Sequence, residues 1–126
     1  MDELALGERE LDVMAVLWEV GASTVGDVRE RLPVPLAYTT VLTILRNLEA
    51  KGYLSHTVEG RAHRYRPRIA QRTAQRSALK RILSRFFADS PEMLLARLVD
   101  DGSVEAHELR EMAERVARGK GSRRSR

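Results

Sequence analysis

The hydrophobic residues of this chain change their period at Gly52. Before it, apolar side chains recur three or four positions apart. After it they alternate along Tyr53-Leu54-Ser55-His56-Thr57-Val58 and again along Arg61-Ala62-His63-Arg64-Tyr65-Arg66. The two patterns are not interchangeable, because a helix gathers apolar residues on one face at a period of 3.6 and a strand at a period of two. A Glu59-Gly60 turn joins the two alternating runs and Pro67 ends them, which predicts a β-hairpin.

Upstream of Gly52 the punctuation predicts three helices. Leu11, Met14, Leu17 and Trp18 share a face over about Glu8–Val20, and Gly21 stops that helix. Thr24-Val25-Gly26-Asp27 has the capping-box form and opens a short helix that buries Val25, Val28 and Leu32 before Pro33 and Pro35 end it. The third runs from about Ala37 to Lys51 with Val41, Ile44, Leu45 and Leu48 inward and Gly52 just beyond it. Three helices and a hairpin within 67 residues is the layout of a winged helix-turn-helix domain, with a short strand near Ala22–Ser23 available to pair with the hairpin.

Three further helices are expected beyond it. The fourth covers about Ile69–Ala88. The fifth starts at Ser90-Pro91-Glu92, which combines an N-cap, an N1 proline and an acidic first turn, and ends near Asp100. Ser103 is expected to cap a sixth, which carries Leu109, Met112, Ala113 and Val116. The fold class is therefore mainly α, with a winged-helix DNA-binding domain at 1–67, a helical dimerisation domain at 68–118 and a disordered basic tail at 119–126.

The net charge of +4 hides a strong asymmetry. Residues 1–59 are acidic on balance, whereas residues 60–88 hold Arg61, Arg64, Arg66, Arg68, Arg72, Arg76, Lys80, Arg81 and Arg85 and no acid. Such a block suits a polyanion, because clustered phosphate contacts release counterions. Base composition of the genome explains a preference for Arg over Lys but not an acid-free block. With no cysteine, disulfide frameworks, thiolate metal sites and cysteine nucleophiles are excluded. The acidic start Met1-Asp2-Glu3 and the lack of any apolar run near about 18 residues predict a cytoplasmic protein without membrane insertion.

On the third helix, the face opposite its apolar stripe holds Thr39, Thr43, Arg46, Asn47 and Ala50, with Thr40 at the edge. Threonine is a weak helix former, and a merely solvated face is better served by Glu, Lys or Gln. Hydroxyls, a guanidinium and a carboxamide suit phosphates and base edges. The plain alternative is that Thr39 and Thr40 only begin the helix. In the hairpin Arg61 at the tip is the leading backbone contact; Arg64 and Arg66 share a strand face, one of them available for acids of the first helix. His63 and Tyr65 read as structural.

Met93, Leu94, Leu95, Leu98 and Val99 spread around most of the fifth helix, wider than the stripe of a one-sided surface helix. A second copy of the chain is the simplest cover, with Phe86, Leu109, Met112 and Val116 completing the interface. The alternative is a monomer in which the fifth helix packs between the fourth and sixth. His107-Glu108-Leu109-Arg110-Glu111 falls one ligand short of the H-E-x-x-H zinc motif, and no phosphate-binding glycine loop or nucleophile elbow occurs. Neither an enzyme nor a metal or other cofactor is expected. A function of another class, a winged helix that meets an acidic partner protein, uses the same wing and third helix.

Glu10-Leu11-x-x-Met14-x-x-Leu17-Trp18, Tyr38-Thr39-Thr40-Val41-x-Thr43-x-Leu45-x-x-Leu48-x-x-Lys51-Gly52 and Gly60-Arg61-Ala62-x-x-Tyr65 together resemble the penicillinase-repressor family, of the BlaI, MecI and CopY type. The resemblance implies a homodimeric transcriptional repressor that binds an inverted-repeat operator in double-stranded DNA, often ahead of beta-lactam or other antibiotic-resistance genes. It puts the base-reading positions at Thr39, Thr40, Leu42, Thr43 and Asn47, with Leu42 and Asn47 standing where other members carry Arg. It also implies relief by a membrane sensor-protease that cuts in the fifth helix. There this chain has Arg97–Leu98 in place of the Asn–Phe pair. The Cys-rich tail of copper-responsive members is absent.

Overall fold

The computed structural model describes residues 6–124, with side chains up to residue 119. The elements are α1 (Glu8–Val20), β1 (Ser23–Thr24), α2 (Val25–Arg31), α3 (Tyr38–Ala50), β2 (Leu54–Glu59), β3 (Ala62–Pro67), α4 (Gln71–Phe86), α5 (Pro91–Asp100) and α6 (Ala106–Arg124). The period change at Gly52 thus separates three helices from the hairpin. Gly52, at φ +88°, takes the left-handed conformation that ends α3.

The first compact unit extends to Leu79. Its core joins Val13, Met14, Val16 and Leu17 of α1, Val25 and Val28 of α2, Val41, Leu45 and Leu48 of α3, and Leu54 and Tyr65 of the hairpin. The buried face of α1 differs from the expected stripe: Leu11 is exposed and Trp18 half-buried, while Val13 and Val16 are inside. The face turns because α1 is packed by α2 and α3 together and by the sheet, so its buried arc is wider than one line of residues. Trp18 is held by its indole N–H, which donates to the Ile69 carbonyl at 2.9 Å.

Each start and stop has a local cause. At the head of α2 the Asp27 N–H donates to the Thr24 hydroxyl (3.2 Å) and the Thr24 N–H to the Asp27 carboxylate (3.3 Å), the reciprocal pair anticipated from Thr-x-x-Asp. The Gly7 N–H donates to Glu10, whose carboxylate also takes Lys51 Nζ at 2.9 Å on both oxygens, tying α1 to the end of α3. In the sheet, ordered β1-β3-β2 and antiparallel throughout, Ser23 lies opposite Tyr65, and Glu59 opposite Ala62. That register makes Gly60-Arg61 the two-residue connection. Gly60, at φ +61°, supplies the positive φ such a turn demands of its first residue.

The second compact unit begins at Lys80, inside α4, rather than at residue 68. Residues just past Pro67 belong with the first unit because the Arg68 N–H donates to Tyr53 O at 2.8 Å and Ile69 packs on its core. In α5 the Ser90 hydroxyl accepts the Met93 N–H and Pro91 occupies N1, as the start signal requires. Two expectations are corrected. The sixth helix begins at Ala106, where the Glu105 N–H donates to Glu108 (2.9 Å), so Ser103 is not its cap. It also runs through Gly119 to Arg124, so the backbone of residues 119–124 is helical and not a disordered tail; residues 125 and 126 lie outside the described residues. A helix that has already run more than three turns at residue 119 needs no new nucleus to continue, and elongation adds a hydrogen bond per residue. No helix among the described residues is long and apolar enough to cross a membrane.

Candidate nucleic-acid interface

Burying Val41, Leu45 and Leu48 fixes the rotation of α3 and so decides what it shows outward. Thr39, Thr40, Thr43, Arg46 and Asn47 are all exposed, and Leu42 is half-buried at the margin. The face inferred from the helical wheel is therefore continuous on the folded domain. Thr43 uses its hydroxyl hydrogen within the helix, donating to the Thr39 carbonyl at 2.9 Å. Outward it offers an oxygen that can accept and a methyl group.

Arg61 is exposed at the hairpin tip, as expected. Together with Arg46 it borders a cleft of about 190 Å³ between α3 and the hairpin, lined also by Thr24, Tyr38, Leu42 and His63. Tyr38, an exposed aromatic at the head of α3, joins this surface, which helical periodicity alone does not single out.

Arg64 behaves differently from Arg61. Its Nε donates to Glu59 at 3.0 Å and one terminal nitrogen to the Ala22 carbonyl at 3.2 Å. Arg66 donates to the Thr57 hydroxyl at 3.3 Å. Neither pairing involves an acid of α1, because cross-strand neighbours in the hairpin lie nearer than the helix. Arg64 thus braces β3 against β1 and the wing against itself, while Arg61 has its side chain at the open end.

Behind the exposed face lies a polar layer that periodicity does not reveal. Tyr65 is 1 % exposed. Its hydroxyl is bonded by Arg46, and burial, reinforced by the nearby Glu49 carboxylate, raises its proton affinity above the usual phenol value. Glu49, on the last turn of α3, meets His56 Nδ1 of β2 at 2.7 Å. The His56 and His63 rings stack at 4.5 Å between centroids, 8° from parallel. The structural reading of His63 and Tyr65 agrees with these contacts.

In the second unit, the residues assigned to dimerisation lie largely at the surface. Phe86 is 74 % and Val116 62 % exposed, Met93, Leu95, Val99 and Met112 are exposed, and Leu94, Leu98 and Leu109 are half-buried. No residue of α5 is buried, so this helix is not enclosed by the described residues. Arg97 is exposed, with Asp100 at 3.6 Å, and adjoins Leu98 inside the helix.

Comparison with known proteins gives this geometry a context. The family described as Penicillinase repressor matches residues 6–118. The penicillinase repressor of Bacillus licheniformis is 25 % identical over 109 residues, which cover 85 % of each chain. Transcriptional regulator BlaI of Mycobacterium tuberculosis is 43 % identical over 65 residues, 49 % of this chain and 47 % of that protein. Among solved structures, transcriptional regulator Tm0710 from Thermotoga maritima has a similar fold, with 20 % identity and a TM-score of 0.50 over 95 % of this chain and 77 % of that one.

Proposed function

Because the chain belongs to the penicillinase repressor family, and so to a family of transcriptional repressors, we propose that it binds an inverted-repeat operator as a homodimer and keeps the adjoining promoter silent. The observation that carries this reading is the juxtaposition on one domain of an outward Thr39/Thr40/Thr43/Arg46/Asn47 face and an exposed Arg61 at the wing tip. A helix of that chemistry enters the major groove and reads base edges, with Leu42 at its margin against a thymine methyl. Arg61 contacts the sugar-phosphate backbone. Arg64 shapes the wing, and reaches phosphate only by giving up Glu59.

Most of the electrostatic affinity comes from outside α3, from the acid-free block between residues 60 and 88. The exposed apolar residues of α4, α5 and α6 support the dimer, since surface of this kind in solution calls for a cover. Two copies related by a two-fold axis present two recognition helices, matching half-sites about one helical turn apart. Proteolytic relief fits the same arrangement. A cut at Arg97–Leu98 by a membrane sensor-protease divides α5 and detaches Leu98 and Val99 from Met93, Leu94 and Leu95. Beta-lactam or other antibiotic-resistance genes are the targets that this family membership suggests.

A gel shift against the gene's own upstream region, across a salt series, tests the reading. A retarded band that resists competition by random duplex, and weakens steeply as salt rises, is expected. Equal affinity for random duplex would leave no specific operator, and no band even at low salt would shift the assignment to an acidic protein partner.

A further inference from the structure

The recognition helix and the wing are joined by a polar cluster at the edge of the core, around the buried Tyr65. Glu49 stands in the last turn of α3, where the helix dipole disfavours a carboxylate. What it gains there is His56, whose Nδ1 lies 2.7 and 2.9 Å from its two oxygens. His56 stacks on His63 of the neighbouring strand and tilts against Tyr65, 5.4 Å away. Tyr65 returns to α3 through its hydrogen bond with Arg46. His63 in turn lines the cleft beside Arg46 and Arg61. The chain of contact therefore starts on α3, crosses both strands of the hairpin and comes back to the face proposed to meet DNA.

We propose that Glu49, His56 and His63 are positioning residues that set the wing against the recognition helix; this rests on the DNA-binding reading above. A hairpin pinned to α3 only by Leu54 and Tyr65 in the core would rock about that line. The Glu49–His56 bridge adds an anchor on β2, in the same rung of the sheet as Tyr65, so Arg61 meets the backbone at the register that α3 reads.

Fluorescence anisotropy with the full chain and its selected operator tests the positioning role. At pH 8.0 Glu49→Ala and His56→Ala are expected to weaken binding about fivefold or more, whereas Glu49→Gln, which keeps an acceptor for the ring N–H, recovers most of the loss. Arg61→Ala should cost less in the His56→Ala background than in the wild type, a coupling that simple destabilisation does not produce. The Glu49 and His56 side chains are 31 % and 30 % exposed, and thermal melts of all variants separate binding from folding. Wild-type affinity in Glu49→Ala, or a loss that adds to Arg61→Ala and is not rescued by Gln, overturns the positioning role. A wild type with no operator at all removes the DNA reading instead, an outcome distinct from tight binding that ignores the cluster.

Discussion

Single residues divide the labour at the proposed interface. Arg61 is exposed at the wing tip, so Arg61→Ala is expected to weaken binding to all duplexes alike and to lower the salt slope by about one. Thr43 and Asn47 face outward from α3. Thr43→Val and Asn47→Ala should instead change the preference between operator variants, as read by competition binding; a uniform loss would contradict base readout. Two other positions carry a conformational burden. Ala88 and Asp89, which follow α4, have φ of +50° and +60°. A left-handed non-glycine residue costs about 1–2 kcal/mol, so Ala88→Gly should leave the melting temperature unchanged or raise it. Ala78→Gly, inside α4, should lower stability by about 1 kcal/mol.

At the level of the element, short sequence signals and distant partners act together. The Thr24–Asp27 box starts a helix of only 7 residues, so Thr24→Ala should cost about 1 kcal/mol, measured by denaturant melts. Asp27 is held below its ordinary value first by the Thr24 N–H and then by the Thr24 hydroxyl. Glu10 joins α1 to α3. Burial pushes its carboxyl up, but the Gly7 N–H and the hydrogen bond and charge of Lys51 outweigh this and leave it lowered. A lowered carboxyl contributes stability that is fully present above its unfolded value, about 4.3, and is lost as pH falls through the folded one. Glu10→Gln should therefore melt below the wild type at neutral pH, with the gap closing on acidification below about pH 4. A gap independent of pH would mean that the ion pair is not the source.

Over the whole molecule the two compact units have opposite surfaces. The first closes a core with Val13, Leu17, Leu45 and Tyr65 at its centre, whereas the second leaves Phe86, Met93 and Val116 exposed. Light scattering at tens of micromolar should give twice the chain mass; a species of 14.3 kDa would contradict the dimer. Leu98→Asp should yield monomers whose operator affinity falls steeply, since both half-sites no longer bind as a unit. If that variant stays dimeric, the interface lies elsewhere.

The period change at Gly52 was enough to order three helices and a hairpin, because side-chain period is a property of the backbone geometry and needs no distant partner. The outward face of α3 was legible for the same reason: once Val41, Leu45 and Leu48 point inward, Thr43 and Asn47 have only one place to go. Capping at Thr24 and Ser90 was equally local. Other features needed the folded chain. Val13 and Val16 replaced Leu11 in the core because neighbours on several sides decide how wide a buried arc becomes. Arg64 turned to Glu59 and Ala22, and Glu49 met His56, through approaches between elements that no spacing encodes. Sequence alone thus determined which elements form and which face α3 shows. Tertiary packing decided which of its charged side chains stay available to a partner and which hold the wing in place, because that depends on distances set only when the elements meet.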